Sequence, residues 1–120
     1  MHALYGVGST SDRTVDAWVR PGSGSYTVKA LSAGTPAAAA LLQTIRAVRI
    51  GLIMRTALPE RSGSAAGAAS GLATPATSLT LFSDLGDPAL TYSRPLSAAE
   101  QQYRYRTLEA TIPLRNNGFQ

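Results

Sequence analysis

The sequence predicts an α+β fold, in which an antiparallel β-sheet of four or five strands carries two short helices. Several short segments alternate apolar and polar side chains, which is typical of strands with one buried face. Helix start signals occur at only two places, and both helices are short. The length of 120 residues fits a single domain over residues 1–120.

The first elements are predicted to be two strands at 3–7 and 14–19. The polar segment between them has the composition of a turn, so the two strands are expected to form a hairpin. In the second strand, alternation puts Val15 and Val19 on one side and Trp18 on the other. A further short extended piece is predicted at 26–31.

A helix is predicted over 36–43, because Thr35 is a good N-cap and Pro36 suits the first helical position. The clearest strand follows at 45–55, where β-branched residues and Gly51 favour a strand over a helix. Its alternation separates an apolar face from a face with arginines. The residues expected to be buried and to hold the sheet are Val48, Ile50, Leu52, Ile112 and Leu114.

The middle of the chain, 59–78, is a low-complexity segment of small residues that predicts a mobile loop. A brief strand is predicted at 79–82, followed by a turn-rich stretch over 84–95. Ser97 and Glu100 have the spacing of a capping box, which predicts a short helix ending near residue 102.

The last strand is predicted at 103–114. Pro113 cannot donate a backbone hydrogen bond, so it should lie at an edge or at the end of this strand. Glu109 is expected to pair with Arg49 or Arg55 across the sheet.

Neither composition nor motifs indicate an enzyme. There is no cysteine, and the single histidine, His2, is at a terminus that we expect to be frayed. Ten arginines and one lysine give a net charge of +4, but they are spread along the chain. Tyr103, Arg104, Tyr105 and Arg106 interleave aromatic and basic side chains, as nucleic-acid-binding proteins do. Because strand alternation separates the tyrosines from the arginines, we interpret this run as a strand with one packed face, and nucleic acid is not an expected partner.

One segment is a candidate metal site. In the loop 8–16, Thr10, Asp12 and Asp16 offer oxygen atoms at alternating spacing, as in calcium-binding loops. Gly8 stands where a first carboxylate is usual, and Arg13 places a cation in the turn. A plain hairpin loop is therefore the favoured interpretation, and no cofactor is expected.

Three segments together resemble the PilW family of minor pilins, which take part in type IV pilus assembly. They are Leu4–Val7 with the loop and Val15–Val19, then Ile45–Arg55, and finally Tyr103–Arg106 with Thr111–Asn116. Their order and spacing match the family and cover nearly the whole chain. In the loop, Gly8 and Arg13 depart from the acidic and glycine-rich pattern of the family.

The resemblance implies a pilin-like sheet domain, which in such proteins follows a leader and a hydrophobic N-terminal helix that anchors in the inner membrane. That helix is missing here, so we expect a truncated chain with exposed apolar sheet surface and a tendency to self-associate. The implied role is to initiate or cap the pilus through contacts with other minor pilins and the major pilin. A type II secretion pseudopilin of the GspJ type and a DNA- or surface-binding module at a filament tip are the alternatives.

Overall fold

The structure, a computed structural model, describes residues 1–60 and 72–115. Within these ranges it contains antiparallel strands, short α-helices and two single-turn 3-10 helices, so the predicted α+β class is confirmed. The strands are β1 (His2–Val7), β2 (Ala17–Val19), β3 (Ile45–Arg55), β4 (Ser78–Leu81), β5 (Tyr92–Pro95) and β6 (Tyr105–Pro113). The helices are α1 (Val28–Leu31) and α2 (Pro36–Thr44), and the 3-10 turns are Ser83–Leu85 and Glu100–Gln102.

The chain divides into two compact units. One contains Met1–Gly51 and the chain from Glu109 onward, and the other contains Leu52–Leu108. Strands β3 and β6 continue from one unit into the other, and the single domain over 1–120 stays a prediction. Most of the predicted mobile loop at 59–78 lies outside the described residues. In the described part of the chain, no helix is long and apolar enough to cross a membrane.

The main sheet has four strands in the order β2-β1-β3-β6. The predicted hairpin is confirmed, because β1 and β2 pair antiparallel with Tyr5 opposite Val19. β2 is shorter than predicted and begins at Ala17. Its predicted first residues belong instead to the loop, where the Asp16 amide donates to the Val7 carbonyl at 2.9 Å.

The predicted strand at 45–55 is confirmed with the same bounds, and the predicted helix before it extends one residue further to Thr44. As predicted, Thr35 caps that helix, since its side chain accepts from the Ala38 amide at 3.2 Å. The last strand is also confirmed, and Pro113 is its final residue. Since β6 ends the strand order, the expectation of an edge position for Pro113 holds as well.

The core of the first unit lies on the opposite side of the sheet from the predicted one. The residues buried there are Leu4, Ala38, Ile45 and Ala47. The expectation that Ile112 and Leu114 are buried is wrong, because they are 46% and 37% exposed. Val48, Ile50 and Leu52 are only half-buried. Strand alternation identifies an apolar face, but it does not say whether this chain covers that face.

Two local predictions in the connecting segments are wrong. Residues 28–31 form a helical turn and not an extended piece, because the Thr27 side chain accepts from the Ala30 amide at 3.2 Å and caps it. The stretch predicted as turns contains β5, which pairs antiparallel with β4 and places Tyr92 opposite Leu81. The tertiary pairing, and not local propensity, makes this segment a strand.

The second unit has its own small core around the β4–β5 hairpin. Leu81 and Phe82 are 1% exposed and Leu96 is 8% exposed. Gln101 is also buried, and its side-chain amide donates to the carbonyls of Pro75 and Ala76 at 3.2 and 2.9 Å. The predicted capping box next to it is confirmed and is described with its electrostatics below.

Candidate functional site

The loop between β1 and β2 is closed by backbone contacts that require a glycine at its start. The Gly8 amide donates to the Thr44 carbonyl at 2.9 Å. A Cβ atom on Gly8 would lie 2.0 Å from the Thr14 carbonyl oxygen, which is far inside contact distance. Gly8 therefore departs from the acidic family pattern at a position where this loop tolerates no side chain.

Asp12 and Asp16 are brought together through Thr14. The Thr14 hydroxyl lies 2.8 Å from Asp12 Oδ1 and 3.2 Å from Asp16 Oδ1. Asp12 also accepts from the Thr14 amide at 3.2 Å, and Asp16 Oδ2 accepts from the Ser9 amide at 3.1 Å. These hydrogen bonds from Thr14 hold the pKa of Asp12 below its usual value, and the charge of Arg46 adds to the effect.

The oxygen atoms of this loop fit calcium poorly. Calcium takes six to eight oxygen ligands, whereas the carboxylates of Asp12 and Asp16 already accept hydrogen bonds from within the loop. Thr10, the third predicted ligand, is an exposed residue of the same loop. In the described ranges, no three histidine, aspartate or glutamate side chains form a group that could hold a metal ion. Metal binding by Thr10, Asp12 and Asp16 stays a prediction.

Arg46 is the residue of this region that sequence reasoning missed. The register of β1 with β3 passes over it, since Gly6 faces Ala47 while Val7 faces Ile45. Such a bulge redirects a side chain. Arg46 is only 9% exposed, and its Nη2 atom donates to the Ser9 carbonyl at 2.7 Å.

Arg46 connects the loop to two strands. Its side chain holds the loop through Ser9, and its backbone carbonyl accepts from the Leu114 amide at 2.8 Å, which connects β3 to the end of β6. Its Nε atom is buried without a hydrogen-bond partner, which costs free energy. The sequence signal for its burial was that Arg46 stands between the apolar residues Ile45 and Ala47 of the predicted strand.

Two further arginines of β3 make side-chain contacts, of which only the ion pair with Glu109 was predicted. In the first unit, Arg49 and Glu109 form the predicted ion pair at 3.8 Å. In the second unit, the Arg55 guanidinium lies 4.2 Å from the centre of the Tyr103 ring, which is a cation–π contact. These contacts neutralise or occupy two of the arginines that gave the sequence its basic character.

Of the aromatic and basic residues at 103–106, Tyr105 and Arg106 begin β6, whereas Tyr103 and Arg104 precede this strand, contrary to the prediction. Tyr103 and Tyr105 are half-buried, whereas Arg104 and Arg106 are exposed. Arg104 forms an ion pair with Glu60, so its charge is compensated within the second unit. The alternation of half-buried and exposed side chains fits the interpretation of one packed face.

The single histidine, His2, lies in β1 opposite Gly51, so the expectation that it is at a frayed end is wrong. Burial lowers the pKa of His2, and the positive charges of the N-terminus and Arg20 lower it further. An open pocket of about 360 Å³ in the second unit is lined by Ser83, Gly86, Pro88, Thr91 and Ser93, none of which titrates near neutral pH.

Ser97 and Glu100 form the predicted capping box of the second 3-10 turn. Glu100 accepts from the Ser97 amide at 2.8 Å, and its own amide donates to the Ser97 hydroxyl at 3.3 Å. Arg94 completes the group with an ion pair of 2.9 Å to Glu100. The Ser97 amide and then the Arg94 side chain lower the pKa of Glu100. The role of this group is structural.

The comparison with protein families decides the identity. The family model for the type IV pilus-assembly protein W matches residues 1–116. The chain belongs to this PilW family. The resemblance seen in the three sequence segments is thereby confirmed, and membership implies a role in type IV pilus assembly. No match was found among curated proteins or among solved structures.

Proposed function

We propose that this PilW-family chain is a minor pilin domain that helps to initiate or cap the type IV pilus. The family match over residues 1–116 carries the proposal. In this role the sheet is pilin-like, works in the cell envelope and the pilus, and contacts other minor pilins and the major pilin. A hydrophobic N-terminal helix of the kind that pilins have would connect it to the inner membrane.

Exposed apolar side chains support a role in subunit contacts. In the first unit, Ile112 and Leu114 are 46% and 37% exposed on β6 and the residue after it. In the second unit, Met54 on β3 and Leu108 on β6 are 49% and 53% exposed. Large apolar side chains grouped at a surface mark protein contacts more often than polar surface does.

The internal use of polar groups supports an assembly role over a catalytic one. The carboxylates of Asp12, Asp16 and Glu100 accept hydrogen bonds that close a loop or cap a turn. The arginines at 49 and 104 form ion pairs. These groups therefore stabilise the fold and are not arranged around a shared point where a substrate could react.

Deletion and complementation of the complete gene test the proposal. Deletion should reduce surface piliation and twitching, and the wild-type gene should restore both. Met54→Asp places a charge on the exposed apolar face of β3 and should restore them less well. Leu58→Asp is the matched control, because Leu58 is 77% exposed but lies outside the strands.

Two results would contradict the proposal. The first is normal piliation in the deletion strain. The second is full complementation by Met54→Asp at wild-type protein levels. A strain that keeps its pili but loses type II secretion would move the chain to a secretion pseudopilus.

A further inference from the structure

The two outer strands of the main sheet differ greatly in length. β2 has three residues, which leaves little backbone for pairing. β6 has nine residues and ends the strand order of the described sheet. Long, regular edge strands are templates for pairing with another strand, and proteins usually interrupt them with proline, bulges or charged side chains. In β6 the charged side chains are Arg106 near its start and Glu109, which is paired with Arg49, and Pro113 is the last residue.

The direction of the backbone groups in β6 follows from two hydrogen bonds with the β3 side. The Leu114 amide donates to the Arg46 carbonyl, and the Arg104 carbonyl accepts from the Thr56 amide at 3.0 Å. Backbone groups of an antiparallel strand alternate between its two sides. Even-numbered residues of β6 therefore direct their N–H and C=O groups toward β3, and Thr107 and Thr111 direct theirs outward.

The side chains on one face of β6 have a pattern that is symmetric about Ala110. Leu108 lies two residues before Ala110 and Ile112 lies two residues after it. Leu108 and Ile112 are 53% and 46% exposed, and Ala110 is exposed as well. When two copies of such a strand pair antiparallel around this central alanine, a large apolar side chain of one copy faces a large apolar side chain of the other, both before and after the alanine.

We propose that β6 pairs antiparallel with β6 of a second copy of this chain, with a two-fold axis at Ala110. Ala110 then faces Ala110 of the second copy, and Leu108 faces the Ile112 of that copy. The outward amides of Thr111 and Thr107 donate to the carbonyls of Glu109 and Pro113 in the second copy. The missing N–H of Pro113 lies at the end of this ladder, where its loss matters least.

Neighbouring registers are less favourable for chemical reasons. An axis at Glu109 would place two carboxylates directly opposite each other, and like charges at such positions destabilise a sheet. An axis at Leu108 would place Ile112, a residue of the strand itself, opposite the charged Arg104. The axis at Ala110 places Arg106 opposite Leu114, which lies beyond the end of β6. An axis at Thr111 would pair only residues 109–113 of β6, whereas the axis at Ala110 pairs 107–113. The length of the paired segment and the symmetric apolar pattern therefore favour Ala110 and a second copy as the occupant. This inference rests on strand geometry and does not depend on the proposed role in the pilus.

Disulfide cross-linking at the axis tests the register. The chain has no cysteine, so Ala110→Cys introduces one defined thiol. The N–H and C=O groups of Ala110 point toward β3, so the two facing Ala110 residues form a non-hydrogen-bonded pair. The Cα atoms of such a pair are about 4.5 Å apart, which is within the range of a disulfide. Under mild oxidation the purified chain with Ala110→Cys should form a covalent dimer in high yield.

Arg106→Cys is the matched control, because this residue is exposed on the same strand face. In the proposed register it faces Leu114 of the second copy. The two cysteines would then be eight positions apart, or about 27 Å along a strand. Cross-linking of Arg106→Cys to the same extent as Ala110→Cys would overturn the proposal.

Charge exchange at the same position gives an independent measurement by sedimentation. Ala110→Glu and Ala110→Lys should each raise the dissociation constant of the dimer by about fivefold, since each places like charges directly opposite each other on the axis. An equimolar mixture should recover dimers that contain one copy of each. Wild-type chain that stays monomeric at all concentrations, or a mixture that stays as monomeric as its components, would overturn the proposal.

Discussion

Replacement of Gly8 by alanine tests the account of the loop most directly. The new Cβ would lie 2.0 Å from the Thr14 carbonyl oxygen, so the backbone must move by more than 1 Å to reach an ordinary contact of roughly 3.4 Å. Such a movement breaks the bonds from Gly8 to Thr44 and from Asp16 to Val7, both 2.9 Å long. At a net contribution of about 1 kcal/mol each, their loss lowers the free energy of unfolding by about 2 kcal/mol.

The measurement is urea unfolding followed by the fluorescence of Trp18, which is the only tryptophan and lies in β2 beside Gly6. In thermal unfolding, a loss of this size corresponds to a decrease in Tm of roughly 8 °C for a chain of 120 residues. Gly6→Ala is the control, because its Cβ meets only side-chain atoms, of Trp18 and Val15, at 3.0 Å. Its cost should be near 1 kcal/mol, the low end of the roughly 1–3 kcal/mol for an overpacked site, because side chains move more easily than backbone. The reasoning is refuted when Gly8→Ala is as stable as the wild type or more stable than Gly6→Ala.

Three further predictions concern Arg46, Glu100 and the carboxylates of the loop. Arg46→Met should lower the free energy of unfolding by about 1–2 kcal/mol in urea titrations, because the lost charged hydrogen bond to Ser9 is partly offset by removal of the unpartnered Nε atom; an unchanged midpoint would show that the bond contributes nothing. Glu100 has a pKa lowered from 4.5, so its stabilising effect is complete above pH 4.5 and is lost as the pH falls through the lowered value. Glu100→Gln should therefore flatten the dependence of Tm on pH below 4.5, and an identical slope would contradict the assignment. Calcium should leave the Trp18 unfolding midpoint unchanged, since the loop carboxylates already accept internal hydrogen bonds; a calcium-dependent increase that Asp16→Asn abolishes would establish the metal site.

Local signals were sufficient for the elements that the chain forms by itself. Thr35 and Pro36 fixed the start of α2, and the spacing of Ser97 and Glu100 gave the capping box with both of its hydrogen bonds. These interactions join residues three positions apart, so they are visible in the sequence. Strand β5 had no such signal, because its pairing with β4 joins segments that are distant in the sequence.

The candidate site was predictable in its residues but not in its arrangement. The position of Asp12 in the turn was correctly predicted, whereas Asp16 was expected in the second strand and lies in the loop before it. The connection of the two carboxylates through Thr14 was not predicted. The alternation over 45–55 does not single out Arg46. A bulge is a property of the pairing of two strands and not of one strand alone, so the burial of this guanidinium could only be found once β1 and β3 were placed together.

The error about the buried face of β3 and β6 has a physical reason that also bears on function. Alternation identifies a strand face that is apolar. It does not tell whether this chain or a bound partner covers that face. In the first unit, Leu4, Ile45 and Ala47 fill the covered side of the sheet, while Ile112 and Leu114 remain exposed on the other side. In the proposed role, neighbouring protein in the pilus covers such side chains. The apolar pattern that failed as a prediction of the core is therefore better explained as a prediction of contacts beyond this chain.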